Sequence, residues 1–233
     1  MLDFVLNFLF PPSCIICGKL DKHYICKSCE RRFEKYRKYN EIDNKKILKN
    51  KLNVENNRKS YVIDYQIFYW DKLVYVFEYK GLVRKNILDY KFNSKPYLSN
   101  FFAYEILKSK KVYEILKFCD IMIPVPMDKR KRCERGYNQT ELITKILSKK
   151  SGLKEEKILL KIKHTKTQSL LTPKQRKQNI DNAFCIKNTE LVKNKNIVIF
   201  DDIYTTGATV NEISKLLKEA EAKTVIVLVI AKD

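Results

Sequence analysis

Residues 196–210, NIVIFDDIYTTGATV, join an uninterrupted apolar run to two adjacent carboxylates, Asp201 and Asp202, and then to hydroxyls set around Gly207. A continuous apolar run of strand length reads as a strand buried on both faces, the environment of a parallel sheet covered by helices. The residues that follow, TVNEISKLLKEAE, carry Val210, Ile213, Leu216, Leu217 and Ala220 on one helical face. The segment is therefore strand, loop, helix, with TTGAT where the helix begins.

In parallel sheets, ligands bind beyond the carboxyl ends of the strands, where the loop meets the next helix. Backbone N–H groups and the helix dipole at that point favour a phosphate. Gly207 allows close backbone approach, and the hydroxyls of Thr205, Thr206 and Thr209 add donors. Two carboxylates would repel the phosphate itself. They suit vicinal hydroxyls, or a metal bound to those hydroxyls, so a ribose 5-phosphate satisfies both halves of the loop.

Further strand-like segments stand at YQIFYW, LVYVFEY, DIMIPVP, KILLKI, NAFCI and TVIVLVI. Helical patterns lie between them at LVRKNILDYKF, YLSNFFAYEILKSKKVYEILKF and NQTELITKILSKKSG. In the last of these Asn138 and Glu141 have capping-box spacing, and Leu142, Ile143, Ile146 and Leu147 form one stripe before Gly152. Strands alternating with helices predict an α/β fold with a parallel sheet. No internal repeat is found.

The N-terminal part has different chemistry. In CIICGKLDKHYICKSC, Cys14 and Cys17 are followed by Cys26 and Cys29, two Cys-x-x-Cys knuckles that can hold one Zn²⁺ tetrahedrally. Four thiolates close such a site, which makes it structural and leaves His23 as a surface residue. A redox dithiol is the alternative reading of a Cys-x-x-Cys pair. Cys119, Cys133 and Cys185 have no partner spacing and read as packing residues. Seven cysteines, an odd number, argue against a secreted disulfide framework and point to a reducing cytoplasm. MLDFVLNFLFPP has an acid at Asp3, lacks a basic start and reads as a short docked helix rather than a signal peptide. No stretch is long and apolar enough for a membrane span.

The organisation expected is a zinc module over 1–35, a charged linker or excursion over 36–64, and an α/β domain over 65–233. A basic helix is readable around ERRFEKYRKY. Lys and Arg number 47 against 27 acids, a net charge of +20 that attracts polyanions such as nucleic acid, phosphorylated ligands or an anionic membrane face. Abundant Lys and Asn would also follow from AT-rich coding. The aromatics among the bases, Phe33 and Tyr36, are candidates for stacking on single-stranded DNA.

The loop at 201–209 resembles the phosphoribosyl pyrophosphate (PRPP) loop of type I phosphoribosyltransferases: a strand, two acids, two variable residues, then Thr-Thr-Gly-x-Thr. The resemblance implies that Asp201 and Asp202 hold the ribose hydroxyls, that Thr205, Thr206, Gly207, Ala208 and Thr209 bind the 5-phosphate, and that Mg²⁺ accompanies PRPP. Adding the N-terminal knuckles after FPP, YKGLVRKNILDYKF, IPVPMDKRKRCERGYNQTEL and TKTQSLLTPKQRKQNIDNAF, the chain is similar to the ComF (ComFC) family of competence-associated proteins over nearly its whole length. It departs from that pattern at Asp128-Lys129, where the family has His-Pro, and in a longer, more charged segment at 31–64.

Because PVPMDKRKRCERGYNQ follows a buried strand, Arg132, Arg135 and the helix start at Asn138 are candidates for facing a pyrophosphate. A solvated charged loop is the alternative. The segment HTKTQSLLTPKQRKQNIDNAF matches the position of the flexible loop that covers PRPP in that fold, which makes Thr167, Gln168, Arg176 and Asn179 lid candidates. A mobile surface loop is the plain alternative. Three functions fit: a PRPP-binding protein that handles single-stranded DNA in natural transformation, as the resemblance implies; an active phosphoribosyltransferase on an unidentified acceptor; or a zinc-module platform for DNA-translocation machinery. The first is favoured, in the cytoplasm or at the inner face of the membrane through partners.

Overall fold

The computed structural model describes residues 13–23, 25–44, 68–163 and 180–233. In chain order the elements are α1 (Lys27–Glu34), β1 (Arg37–Asp43), β2 (Lys72–Glu78), α2 (Gly81–Phe92), α3 (Leu98–Leu107) and α4 (Lys110–Phe118). They are followed by β3 (Ile121–Pro124), α5 (Lys129–Arg135), α6 (Gln139–Ser151), β4 (Lys154–Glu155), β5 (Leu159–Lys161) and β6 (Phe184–Ile186). The chain closes with β7 (Asn196–Tyr204), α7 (Ala208–Glu219) and β8 (Thr224–Lys232).

Six strands form one sheet in the order β1-β2-β8-β7-β3-β4. All neighbours are parallel except β1, which runs antiparallel to β2 at one edge. The continuous apolar runs take the centre, as expected: β7 is buried from Ile197 to Phe200 and β8 from Val225 to Ala231. Their side chains alternate between two cores. Val198, Phe200, Ile226, Leu228 and Ile230 pack on one side with α2, α3, α4 and α6. Ile197, Ile199, Val225, Val227 and Val229 pack on the other with α7. The KILLKI and NAFCI segments do not join the sheet. They pair antiparallel with each other as a separate two-stranded unit, β5-β6, whose Leu159 and Phe184 cap the second core.

The helical pattern at 97–118 is broken into α3 and α4. Ser109 adopts an extended backbone and its side chain accepts from the Val112 N–H, so it starts a new helix inside the run. At α6 the caps follow the sequence: the Asn138 side chain accepts from the Thr140 N–H and its amide donates to Glu141. Of YQIFYW, residues 68–70 are not a strand, yet Trp70 is buried against Phe68 and Tyr204. The N-terminal apolar segment and most of the 36–64 segment lie outside the described residues.

Two expectations in the ERRFEKYRKY region are corrected. The basic helix is present as α1 but stops at Glu34, and Arg37–Asp43, within the segment read as a linker or excursion, is strand β1. Phe33 is not a surface aromatic. It is fully buried, edge-on to Phe77 at 5.0 Å and to Phe101 at 5.2 Å between their ring centroids. Tyr36 is half-buried, with its ring against Gly81, where positive φ and the absence of a Cβ make room for it. Arg37 makes a two-point contact with the Glu105 carboxylate, at 2.8 and 3.1 Å. A paired guanidinium is what makes a carboxylate tolerable where Glu105 sits, in the core-facing side of α3.

Candidate functional site

Because β2, β3, β7 and β8 are parallel, their carboxyl ends open onto one edge of the sheet. A cleft of about 600 Å³ lies there, lined by residues just past those ends: Tyr79, Val125, Thr205 and Asp233 among them. Asp201 and Asp202 stand in its floor near the end of β7. Gly207, Ala208 and Thr209 form the start of α7, where the first turn has N–H groups with no partner inside the helix. Gly207 has φ +74°, and a Cβ there would run into the Tyr204 ring, so the turn admits no larger residue without strain. Of the loop residues expected to bind phosphate, Thr205, Gly207, Ala208 and Thr209 line the cleft. The Thr206 hydroxyl faces the Ala208 N–H at 3.5 Å.

One wall is α2. Arg84, Leu88, Lys91 and Phe92 recur at helical spacing along it. Lys91 reaches across 111 residues of sequence to donate to the Asp202 carboxylate at 2.8 Å, an ion pair in which both side chains are mostly buried. Asp201 accepts from the Asp202 N–H at 2.8 Å. Burial and the adjacent Asp202 carboxylate push Asp201 up to about 7, against the partial opposing pull of Lys91. From about 3.9, the value of a free Asp, to about 7 the folded chain thus holds a proton that the unfolded chain releases. Asp201 therefore stabilises the fold fully at low pH, and that contribution is lost as pH rises through about 7.

The other walls are basic. Lys131 and Arg135 of α5 and Lys161 of β5 line the cleft. Burial holds all three below their usual values, and neighbouring cations add to this for Lys131, through Arg135, and for Lys161, through Lys131. Cations crowded in a partly dry cleft favour a multiply charged anion. Arg132, singled out in sequence beside Arg135, is not in the lining; its guanidinium pairs with Glu141 at 3.1 Å, more than half exposed. Helical geometry explains the split, since 131 and 135 are four apart and share a face while 132 turns away. Asp128, which replaces the expected His, accepts from the Arg130 N–H and starts α5. Thr167, Gln168, Arg176 and Asn179 lie outside the described residues.

Lys91, Lys161 and Asp233 were not found from sequence. Lys91 lies in the last turn of α2 and meets Asp202 only in the fold. The Lys131–Arg135 pairing was available once DKRKRCER was read as a helix rather than a loop.

The four cysteines Cys14, Cys17, Cys26 and Cys29 bring their sulfurs within 4.8 Å of one another. A tetrahedral zinc with bonds of about 2.3 Å sets its sulfurs about 3.8 Å apart. Cys17 and Cys26 have that spacing, 3.8 Å. The donor set and its geometry fit a closed structural Zn²⁺ site. His23 stays outside it, exposed and bonded to Asp21. Of the other cysteines, Cys119 is buried as expected, Cys185 is half-buried, and Cys133 is exposed on α5 and does not pack.

Two family models match the chain: a phosphoribosyl transferase domain over residues 141–233 and a double zinc ribbon domain over residues 5–39. Competence protein F of Haemophilus influenzae is 34% identical over 64% of this chain and 68% of its own length. DNA utilization protein YhgH of Escherichia coli O6:H1 is 32% identical, covering 67% of this chain and 70% of its own. Competence protein ComFC of Bacillus subtilis is 29% identical over 62% of this chain and 57% of its own. The chain belongs to the family of these competence and DNA utilization proteins, with a phosphoribosyltransferase-like α/β domain behind a four-cysteine module.

The module does not stand apart from the α/β domain. Cys14, Ile25, Cys29 and Phe33 share one core with α2, α3 and the central strands. Replacing the exposed ligand, Cys17→Ser, is therefore expected to release zinc and lower the melting temperature of the whole chain in one transition, rather than melt residues 1–35 alone. Metal analysis with scanning calorimetry checks this. A separate low-temperature transition with the main one unmoved would contradict it.

Proposed function

We propose that this member of the competence protein F family binds PRPP with Mg²⁺ in the cleft at the end of β7, and uses that binding in handling single-stranded DNA during natural transformation. One arrangement carries the first half: two carboxylates at a strand end, directly before a glycine-started helix, under a ring of cations. The helix start and Thr205 to Thr209 suit the 5-phosphate, Asp201 and Asp202 suit the ribose hydroxyls or a Mg²⁺ between them and the ligand, and Lys131, Arg135 and Lys161 suit the pyrophosphate. Bound Mg²⁺ would offset part of the pyrophosphate charge.

The DNA half rests on the family, on the charge of +20 and on where the bases lie. Arg31, Arg32 and Lys35 are exposed at the end of α1. Exposed aromatics stand not at Phe33 but on the rim of α3 and on α4, at Tyr97, Tyr104, Tyr113 and Phe118. Lys108 lies over Tyr104 and Lys117 over Tyr113. No helix among the described residues is long and apolar enough to cross a membrane, and the proposed setting is the cytoplasm, with any DNA-translocation machinery as partner. The open aromatic Phe92 in the same cleft favours a second reading, transfer of the phosphoribosyl group to an acceptor; release of pyrophosphate in the presence of candidate acceptors separates the two.

Asp201→Ala with Asp202→Ala is expected to weaken PRPP binding at least about tenfold, a loss of about 1.4 kcal/mol. Inorganic phosphate should bind as well or better, because the change removes negative charge and frees Lys91. Calorimetric titration of both ligands checks this, and equal losses would mean that the acids only shape the loop. For DNA, the logarithm of affinity should fall linearly with the logarithm of salt, by about 0.7 for each phosphate neutralised on a single strand. Neutralising Arg31, Arg32 and Lys35 together should flatten that line; Arg37 is left intact because it holds Glu105. An unchanged slope would remove α1 from the DNA surface.

A further inference from the structure

The four-cysteine module touches the edge of the cleft at the turn between β2 and α2. Tyr79, in that turn, lines the cleft, and its N–H donates to the Lys232 carbonyl at 2.8 Å. Gly81 then starts the helix that carries Arg84, Leu88 and Lys91 along the wall. Residues 36–38, inside the span of the double zinc ribbon, hold this turn from outside. The Glu78 N–H donates to the Tyr36 carbonyl at 3.0 Å, and the Glu78 carboxylate pairs with Lys38 at 3.5 Å and with Lys80 at 2.5 Å. The outer end of the Tyr36 ring covers Gly81 where any other residue would place its Cβ, and the φ of +54° at Gly81 is one that glycine adopts without strain. On its other side Tyr36 is tied to the cysteines. Its N–H donates to the Phe33 carbonyl at 3.0 Å, its ring stands edge-on to that of Phe33 at 6.5 Å, and Phe33 lies one helical turn from Cys29 on the buried face of α1.

We infer that Tyr36 is a positioning residue for the cleft, through which the seating of the zinc module and the occupancy of the ligand site are linked. The inference rests on the PRPP reading of the same cleft. A continuous packed path runs from Cys29 through Phe33 and Tyr36 to Gly81, and Gly81 sets where α2 begins and therefore where Tyr79 and Arg84 stand at the rim. Packed interiors resist continuous deformation, so a ring seated directly on a backbone passes on a displacement of its own base. A ligand that needs the wall in place then favours the seated module, and by linkage a seated module favours the ligand by the same factor. A ring that only filled space would add stability to the fold and would leave zinc and ligand indifferent to each other.

The test measures zinc affinity of the full chain by competition with a chelator that takes Zn²⁺ and leaves Mg²⁺ free, with and without saturating PRPP and Mg²⁺. PRPP is expected to raise the zinc affinity about fivefold or more. Tyr36→Leu keeps apolar bulk beside Phe33 but removes the outer ring that covers Gly81. It should bring that factor close to one and weaken PRPP binding by a similar factor in calorimetric titration, while the variant still loads zinc and melts in one transition; Tyr36→Phe should keep the linkage. An unmodified chain that binds PRPP with no change in zinc affinity overturns the inference without recourse to any variant, and a rise that survives Tyr36→Leu overturns the part given to Tyr36; both leave the PRPP reading standing. Failure of PRPP to bind the unmodified chain overturns the PRPP reading, and the inference falls with it.

Discussion

Two carboxylates side by side at the end of a buried strand repel one another, and water cannot fully relieve them there. The chain answers with Lys91, brought from α2 to Asp202 at 2.8 Å, and by leaving Asp201 with a raised affinity for its proton. Most of the cleft follows from that arrangement. Helix α2 has to lie along the carboxyl edge for Lys91 to reach, which makes it a wall and sets Arg84, Leu88 and Phe92 along it. The acids need a tight turn next to them so that α7 can begin at once, and Gly207 supplies it. The proton on Asp201 is the part of that repulsion which Lys91 does not relieve.

The four-cysteine module is joined to this domain by packing and by charge. Phe33 enters the core between Phe77 and Phe101, and Arg37, at the start of the edge strand, holds the Glu105 carboxylate that α3 directs inward. Glu30 and Lys108 extend the same network across the boundary, at 3.1 Å. Truncating one member of such a network leaves a charge without its partner in a dry place, which costs more than the pair contributes. The cysteine module, the core and the edge strand are in consequence packed as one structure.

The parts legible in sequence are those with a local pattern. β7 and β8 could be read because strands buried on both faces are continuously apolar, and α6 because Asn138, Glu141 and Gly152 mark its ends. The cysteine knuckles and the loop at 201–209 carry their chemistry in their spacing. What escaped depends on partners far away in the chain. β1 reads as a charged linker because a strand at the sheet edge needs little apolar surface, and its pairing is set by β2. Phe33 sits among bases that look solvated, and nothing local says that its side of α1 faces Phe77 and Phe101. Lys91 is one lysine among many until Asp202 meets it. KILLKI and NAFCI were legible as strands but not as a pair outside the sheet, because strand patterning does not name the neighbour.

The central claim is that the carboxylate pair and the helix start together form a PRPP site. The most direct measurement is calorimetric titration of the unmodified chain with PRPP, with and without Mg²⁺, near pH 7 in buffers of different ionisation enthalpy. A ribose hydroxyl donating to Asp201, or a Mg²⁺ beside it, favours the charged carboxylate and lowers a value that stands at about 7 in the free protein. Binding should therefore be tighter with Mg²⁺, release a fraction of a proton, and strengthen as pH rises through about 7. No binding, or binding that is indifferent to Mg²⁺ and exchanges no proton, would contradict the account.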